Sequence, residues 1–395
     1  MPNHQTTKRP NHQTTKRLRI ACAAIVAVAL LLSCGGSGGG NGADGPADSV
    51  AFKYARLIHI WRSDSCCHVR IDSPWKRGAA LREYLLVPHD RPLPQTLQEG
   101  PTVVRTPLRR SVIFSSVHAA LAAQLGAESQ VAGVADLKYI KVPFVQEGVR
   151  SGRLADCGDG MAPLVEKIAD AGCDAILLSP FENSGGHGQL ENMGIPLIEC
   201  AEYMEASPLA RAEWMRFYGM LYGAEGTADS LFAVVDSTYQ TLRRQALATE
   251  ERPQVLMDKQ TGAVWYVPGG RSTIGRMLQD AQCSYPFAAD THSGSLPLPF
   301  EVVLERCGDA PLWLFRYDSD DAITAERLLA EQPGYRQIAA AAAGGLYGCN
   351  VRTSMFYEES PFRPDMLLRD FIHILHPQLH VADSLRYYKR VAAGR

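Results

Sequence analysis

The chain states one short phrase twice, and this repetition constrains its fold more than any compositional total. "LVEKIADAGCDAILLS" occupies residues 164–179 and "FEVVLERCGDAPLWLF" residues 300–315. In each, a glutamate opens an apolar helix pattern, an Asp-Ala pair follows at the same distance, and an apolar run closes the phrase. Glu166 matches Glu301, Asp174 matches Asp309 and Ala175 matches Ala310. A helix running straight into a wholly apolar strand is the unit of a parallel sheet with crossover helices, since a strand covered on both faces has no polar alternation. Two such units far apart predict two α/β lobes. The chain has 395 residues, 46% of them hydrophobic, which suffices for two cores. A net charge of −2 gives no basic surface for nucleic acid.

The two ends of the chain read differently from the middle. "KRLRI" followed by "IACAAIVAVALLLSC" has the basic and apolar regions of a secretory signal peptide, residues 1–33. The run is shorter than the roughly 20 residues that span a bilayer. "LLSC" resembles the lipobox of bacterial lipoproteins, which implies a lipidated Cys34 as the mature N-terminus. Residues 34–50 are a Gly-rich tether. Residues 51–105 read as a β-rich extension, with "YARLIHIW", "CCHVRID" and "REYLLVP" between turn residues. Strands and helices then alternate over 106–207, the first lobe, and again over 251–345, the second. Between them, 208–250 repeats apolar residues every three and four and predicts a connector helix, broken only around Gly223 to Gly226. Residues 346–395 form a closing helical segment.

Longer motifs narrow the class. "SVIFSSVHAALAAQLGA", "YMEASPLARAEWMRFYGMLYG", "WYVPGGRSTIG", "THSGSLPLPFE" and "FRPDMLLRDFIHILHP" together span roughly residues 100–390. In these the chain resembles the substrate-binding lipoproteins of ABC importers that carry cobalamin, haem and ferric siderophores, and most of all the Bacteroidetes-type iron-transport binding proteins. The resemblance implies a class III architecture: two Rossmann-like lobes joined by a single long helix, here with the β-rich N-terminal extension added. It implies a monomer, lipid-anchored on the periplasmic side of a membrane, that hands a small-molecule metal chelate to a permease dimer. Cargo is then an iron chelate or a tetrapyrrole, with no resident cofactor and no catalysis. It further implies that Glu166 and Glu301 are paired handles that meet arginines on the two permease halves. The alternative reading of each glutamate is a favourable charge at a helix N-terminus.

Ligands of open α/β sheets sit beyond the carboxyl ends of the strands. The residues placed there are Ser115, Ser116, Lys138, Tyr139, Phe181, Glu182 and Tyr203 in the first lobe, and Trp265, Tyr266, Ser272, His292 and Arg316 in the second. Aromatic faces with a cation suit a large, flat or anionic chelate. Trp265 and Tyr266 read equally as core of an amphipathic strand, and "GGRS" (269–272) as either a phosphate cradle or a plain glycine turn. Two further groups invite a metal: Cys66, Cys67 and His68, which a strand would send to opposite faces, and His373, His376 and His380, which Pro377 interrupts. Both favour a structural reading, so no protein metal site is expected. The eight cysteines beyond Cys34 sit in an export context that permits disulfides. Two competing functions stay open: a cobamide receptor of the same class, and a metal-handling enzyme such as a chelatase. A free-metal receptor would need His118, His187 and His292 to converge.

Overall fold

A computed structural model describes residues 48–93, 100–182 and 186–392. The signal peptide and Cys34 lie outside the described residues. The chain opens with strands β1 (Asp48–Ser49), β2 (Ile58–Arg62), β3 (Cys67–Asp72), β4 (Ala80–Pro88) and β5 (Thr102–Thr106), which form one sheet in that order. Its pairs are antiparallel except the parallel β4–β5 pair. Alternate residues point inward: Ile58 and Ile60, Val69 and Ile71, Tyr84 and Leu86 are all buried.

The first lobe is built from β6 (Ser111–Ile113), α1 (Ser116–Gln124), β7 (Val131–Val134), α2 (Pro143–Arg150), β8 (Ala155–Asp156), a hairpin of β9 (Gly158–Asp159) and β10 (Ala162–Pro163), α3 (Val165–Ala171), β11 (Ala175–Leu178) and β12 (Leu197–Glu199). Its sheet is parallel throughout, in the order β12-β11-β6-β7-β8. Every residue of β6, β7 and β11 is buried, as the unbroken apolar runs require.

Residues 208–250 hold three helices rather than one: α4 (Pro208–Glu213), α5 (Met215–Tyr222) and α6 (Glu225–Leu247). Gly223, in the left-handed region at φ 68°, ends α5 and lets the chain turn back onto α6. The connector proper is therefore α6, 23 residues and about 34 Å long. Its buried stripe of Ala228, Phe232, Val235, Tyr239, Leu242 and Ala246 steps by four and three.

The second lobe contains β13 (Val255–Met257), β14 (Gln260–Thr261), β15 (Val264–Pro268), α7 (Thr273–Asp280), β16 (Ser295–Leu298), α8 (Phe300–Cys307), β17 (Leu312–Tyr317), α9 (Ala325–Glu331), α10 (Ala339–Ala343) and β18 (Leu346–Asn350). Helices α11 (Phe356–Glu359) and α12 (Pro364–Leu375) follow, then β19 (Lys389–Arg390). Here β13-β17-β18 run parallel with β19 antiparallel at the edge, and β14-β15-β16 make a separate antiparallel sheet. The repeated phrase is thus α3–β11 in one lobe and α8–β17 in the other, and each glutamate is the second residue of its helix.

The N-terminal sheet is part of the same core as both lobes, which one contiguous apolar cluster joins through α4–α6. Two buried carboxylates clamp its leading segment. Glu213 accepts the backbone N–H groups of Lys53, Tyr54 and Ala55, and Glu205 those of Arg56 and Leu57 together with the Trp214 indole N–H. An ionised group can be buried at such positions because several donors replace its water.

Candidate functional site

Two pockets lie at the carboxyl ends of the parallel strands, one in each lobe. The first, of about 1030 Å³, is at the top of the range for small-molecule sites. The turn after β6 supplies Phe114, Ser115 and Ser116, the turn after β7 Asp136 and Tyr139, and the loop after β11 Ser179, Phe181 and Glu182. The β9–β10 hairpin adds Met161, and the loop before β12 adds His187 and Gln189. The second pocket, of about 340 Å³, is lined by Asp258 after β13, Tyr266 on β15, Arg316 and Tyr317 at the end of β17, and Tyr357 on α11. Their rims meet: Ile140 lines the first pocket, and the Lys141 ammonium beside it donates to the carbonyl of Val351, which lines the second.

Exposed apolar side chains concentrate here. Nine large hydrophobic residues are exposed among the described residues, and five of them, Tyr139, Met161, Phe181, Tyr266 and Tyr357, line these two pockets. Solvent-facing rings clustered at strand ends are a surface waiting to be covered. Local geometry sets them out. Asp136 adopts φ 56°, an uncommon left-handed conformation for a non-glycine residue, and this turns the chain sharply after β7. Its carboxylate accepts the Gly160 N–H at 3.1 Å and so holds the β9–β10 hairpin against the pocket. His187 bonds Glu199 at 2.9 Å, and Arg82 of the N-terminal sheet reaches the same carboxylate at 3.3 Å. Tyr84 accepts the Glu199 N–H and donates to the Leu197 carbonyl. The N-terminal sheet thereby braces the edge strand of lobe 1 and the loop that carries His187.

Of the residues picked from the sequence, Ser115, Ser116, Tyr139, Phe181 and Glu182 line the first pocket, and Tyr266 and Arg316 line the second. Ser115 is also the N-cap of α1, accepting the Val117 N–H. The others fall elsewhere. Trp265 is fully buried, its indole N–H donating to the Met257 carbonyl and its ring packed on Trp313 and Tyr335. Ser272 caps α7 by accepting the Gly275 N–H. The glycines of the turn before it are required by close packing: a Cβ at Gly269 would come within 2.4 Å of the His292 carbonyl oxygen, and one at Gly270 equally close to that of Ala288. His292 is exposed and pairs with Asp290 at 3.0 Å, outside both pockets. Tyr203 donates to the Pro180 carbonyl and supports the Phe181 loop from outside the lining. Lys138 turns away to Asp159 at 3.4 Å, lying 4.8 Å over the Tyr139 ring. Asp136, Met161, Asp258 and Tyr357 are not among the residues named from the sequence, and His187 is named there only as a candidate metal ligand; for Asp136 the signal is present, since it directly ends the strand pattern "VAGVAD".

Arg316 is held by Asp258 through two bonds of 2.7 and 2.5 Å, with the rings of Phe356 and Tyr357 beneath it. Burial would lower its pKa, but the adjoining carboxylate outweighs that and raises it. Glu166 and Glu301 are both exposed, and neither has a hydrogen-bond or ion-pair partner among the described residues. His118, His187 and His292 do not converge. His118 is buried beside Glu202 at 3.3 Å and Tyr218 at 3.0 Å, with Cys200 close by. Burial lowers the imidazolium pKa, yet Cys200 and Glu202 push it up to about 10. Burial raises Glu202 in turn, and His118 and Arg211 more than offset it, so its pKa is lowered. These side chains contact one another as an internal network through His118 Nε2, Glu202 and Tyr218, while the buried His118 Nδ1 has no hydrogen-bond partner among the described residues. His376 is buried against the Ala281 carbonyl, and all eight cysteines beyond Cys34 carry free thiols.

Comparison with known proteins agrees with this layout. Residues 112–352 match the family described as periplasmic binding protein. An uncharacterized lipoprotein of Methanocaldococcus jannaschii is 24% identical over 350 residues, 83% of this chain and 82% of its own length. A periplasmic heme binding protein from Pseudomonas aeruginosa superposes with a TM-score of 0.56 at 16% identity, over 73% of this chain and 100% of that one. The molybdate periplasmic binding protein MolA of Haemophilus influenzae gives 0.55 at 15% identity, over 70% and 89%.

Proposed function

The chain belongs to the periplasmic binding protein family, and from that premise we propose that it is a lipid-anchored receptor that captures a metal chelate between its lobes and delivers it to an ABC importer. The observation that carries the cargo reading is the set of five exposed apolar side chains on the linings of the two pockets. Rings at two strand-end surfaces suit a broad ligand with a large apolar or π face, such as a ferric siderophore or haem. The unpartnered, exposed Glu166 and Glu301 support docking to two permease halves, because a rim charge with no internal partner steers and orients a complex. Cys34 and the tether after it supply the anchor in this reading.

The test is calorimetric titration of the mature chain with ferric siderophores, haemin and cyanocobalamin. Saturable submicromolar binding of one class, weakened by truncating Tyr139 or Phe181, is expected. Absence of binding across the panel would sink the receptor reading and direct attention to chelatase activity.

A further inference from the structure

We infer that the lobe-1 wall selects its cargo by charge: Asp136 and Glu182 make it a site for a neutral or cationic chelate that excludes polyanionic ones. This rests on the receptor reading and adds to it a class of substrate and two specificity-determining residues.

The larger pocket is lined by two carboxylates, Asp136 and Glu182, and by no lysine or arginine. Glu182 is exposed and has no ion-pair partner among the described residues. The undescribed residues between it and Gly186 are Asn183, Ser184 and Gly185, which carry no charge. Lys138, next to the lining residue Tyr139 and lying over its ring, is engaged by Asp159 at 3.4 Å. In the second pocket both lining cations are already neutralised, Arg316 by Asp258 and Lys259 by Glu331. The remaining carboxylate there, Asp318, is paired with Arg352. An incoming polyanion therefore meets two uncompensated negative charges and no free cation on the lining.

One feature acts in the other direction. The N-terminus of α1 opens on the pocket through Ser115 and Ser116. A helix N-terminus amounts to about half a positive charge, and one of its N–H groups is already satisfied by Ser115. Two full carboxylates outweigh it. Exposed charges of this kind each discriminate by up to about fivefold, and salt weakens the effect.

The experiment titrates the mature chain with ferrioxamine B, a monocationic ferric hydroxamate, with ferrichrome and cyanocobalamin as neutral probes, and with ferric enterobactin, a trianionic catecholate. Each is repeated with Glu182→Gln and with the Asp136→Asn, Glu182→Gln double variant. Asparagine keeps the acceptor for Gly160 and tolerates the left-handed backbone, so the pocket shape is preserved. We expect a cationic or neutral probe to bind at least about tenfold more tightly than the trianion. The double variant should lower the preference for ferrioxamine B over ferrichrome about tenfold, and the preference should shrink at high salt. Tightest binding of enterobactin, or a preference unchanged by the double variant, overturns the charge rule while leaving the receptor intact. If no probe binds, the receptor reading falls and the charge rule with it.

Discussion

The two lobes share a scaffold and differ in what they do with it. In both, a short helix with glutamate at its second position leads into a buried central strand. Even the shared phrase is used unevenly. Asp174 accepts the N–H groups of Arg109 and Arg110 and ties down the approach to β6, whereas Asp309 is exposed and Pro311, lacking an N–H, delays β17 to Leu312. The walls diverge further. Lobe 1 offers a roomy pocket with exposed rings and two carboxylates that have no ion-pair partner among the described residues; lobe 2 offers a pocket a third the size whose ions face one another. The two glutamates, proposed above as handles for a two-fold partner, hold the same helical position in both lobes. The two pocket linings share no such likeness.

Breaking the symmetric part should have the largest effect. Reversing both handles with Glu166→Arg and Glu301→Arg is expected to abolish cargo uptake in liposomes carrying the permease, each single reversal costing about tenfold. Cargo affinity should be unchanged, and wild-type uptake by the double variant would end the docking reading. Next comes the internal ion pair of lobe 2. Arg316→Met leaves the nearly buried Asp258 carboxylate unpaired and should lower stability in urea by about 2 kcal/mol, short of a fully buried pair because Arg316 retains 28% side-chain exposure. Glu182→Gln in lobe 1 should stay within about 0.5 kcal/mol of wild type; equal losses would erase the contrast between the walls. The aromatic contacts sharpen it further. Tyr139→Ala or Phe181→Ala should weaken cargo binding about tenfold, and Tyr266→Ala or Tyr357→Ala about threefold, with the reverse order making lobe 2 the main recognition wall.

A pH dependence also distinguishes lobe 1, at its junction with α4 and α5. The pKa of His118 is raised from 6.5 to about 10 on folding. Its contribution to stability is therefore complete below about pH 6.5 and is lost as the pH rises through about 10. The melting temperature of wild type should fall between those limits more steeply than that of His118→Gln. Parallel slopes would show that the proton on His118 is not held as the buried network implies.

Much of the fold was legible because it is written in periodicity. Unbroken apolar strands, helices ending at Gly172 and Gly223, and the three-four stripe of α6 all follow from local rules. The connector was read too long because α4 and α5 share its apolar rhythm, and only their packing separates them from it. The site was half legible. Residues directly at strand ends, such as Ser115 and Ser116, are placed by the sheet itself. Met161 and Tyr357 reach the pockets from a hairpin and a short helix, whose positions are set by contacts remote in sequence.

The sequence by itself determined that there are two α/β lobes, that each carries the same glutamate at the same helical position, and that one of Trp265 and Tyr266 faces inward. Alternation along a strand puts neighbours on opposite faces but does not say which face is the core. The tertiary structure decided it, because β15 pairs with β16 in a register that packs Trp265 on Trp313 and Tyr335 and leaves Tyr266 in the pocket. It likewise decided which charges are free. Arg316 finds Asp258 across 58 positions while Glu182 finds no ion-pair partner among the described residues, and a pairing at that separation is a property of the packed chain, not of any local pattern.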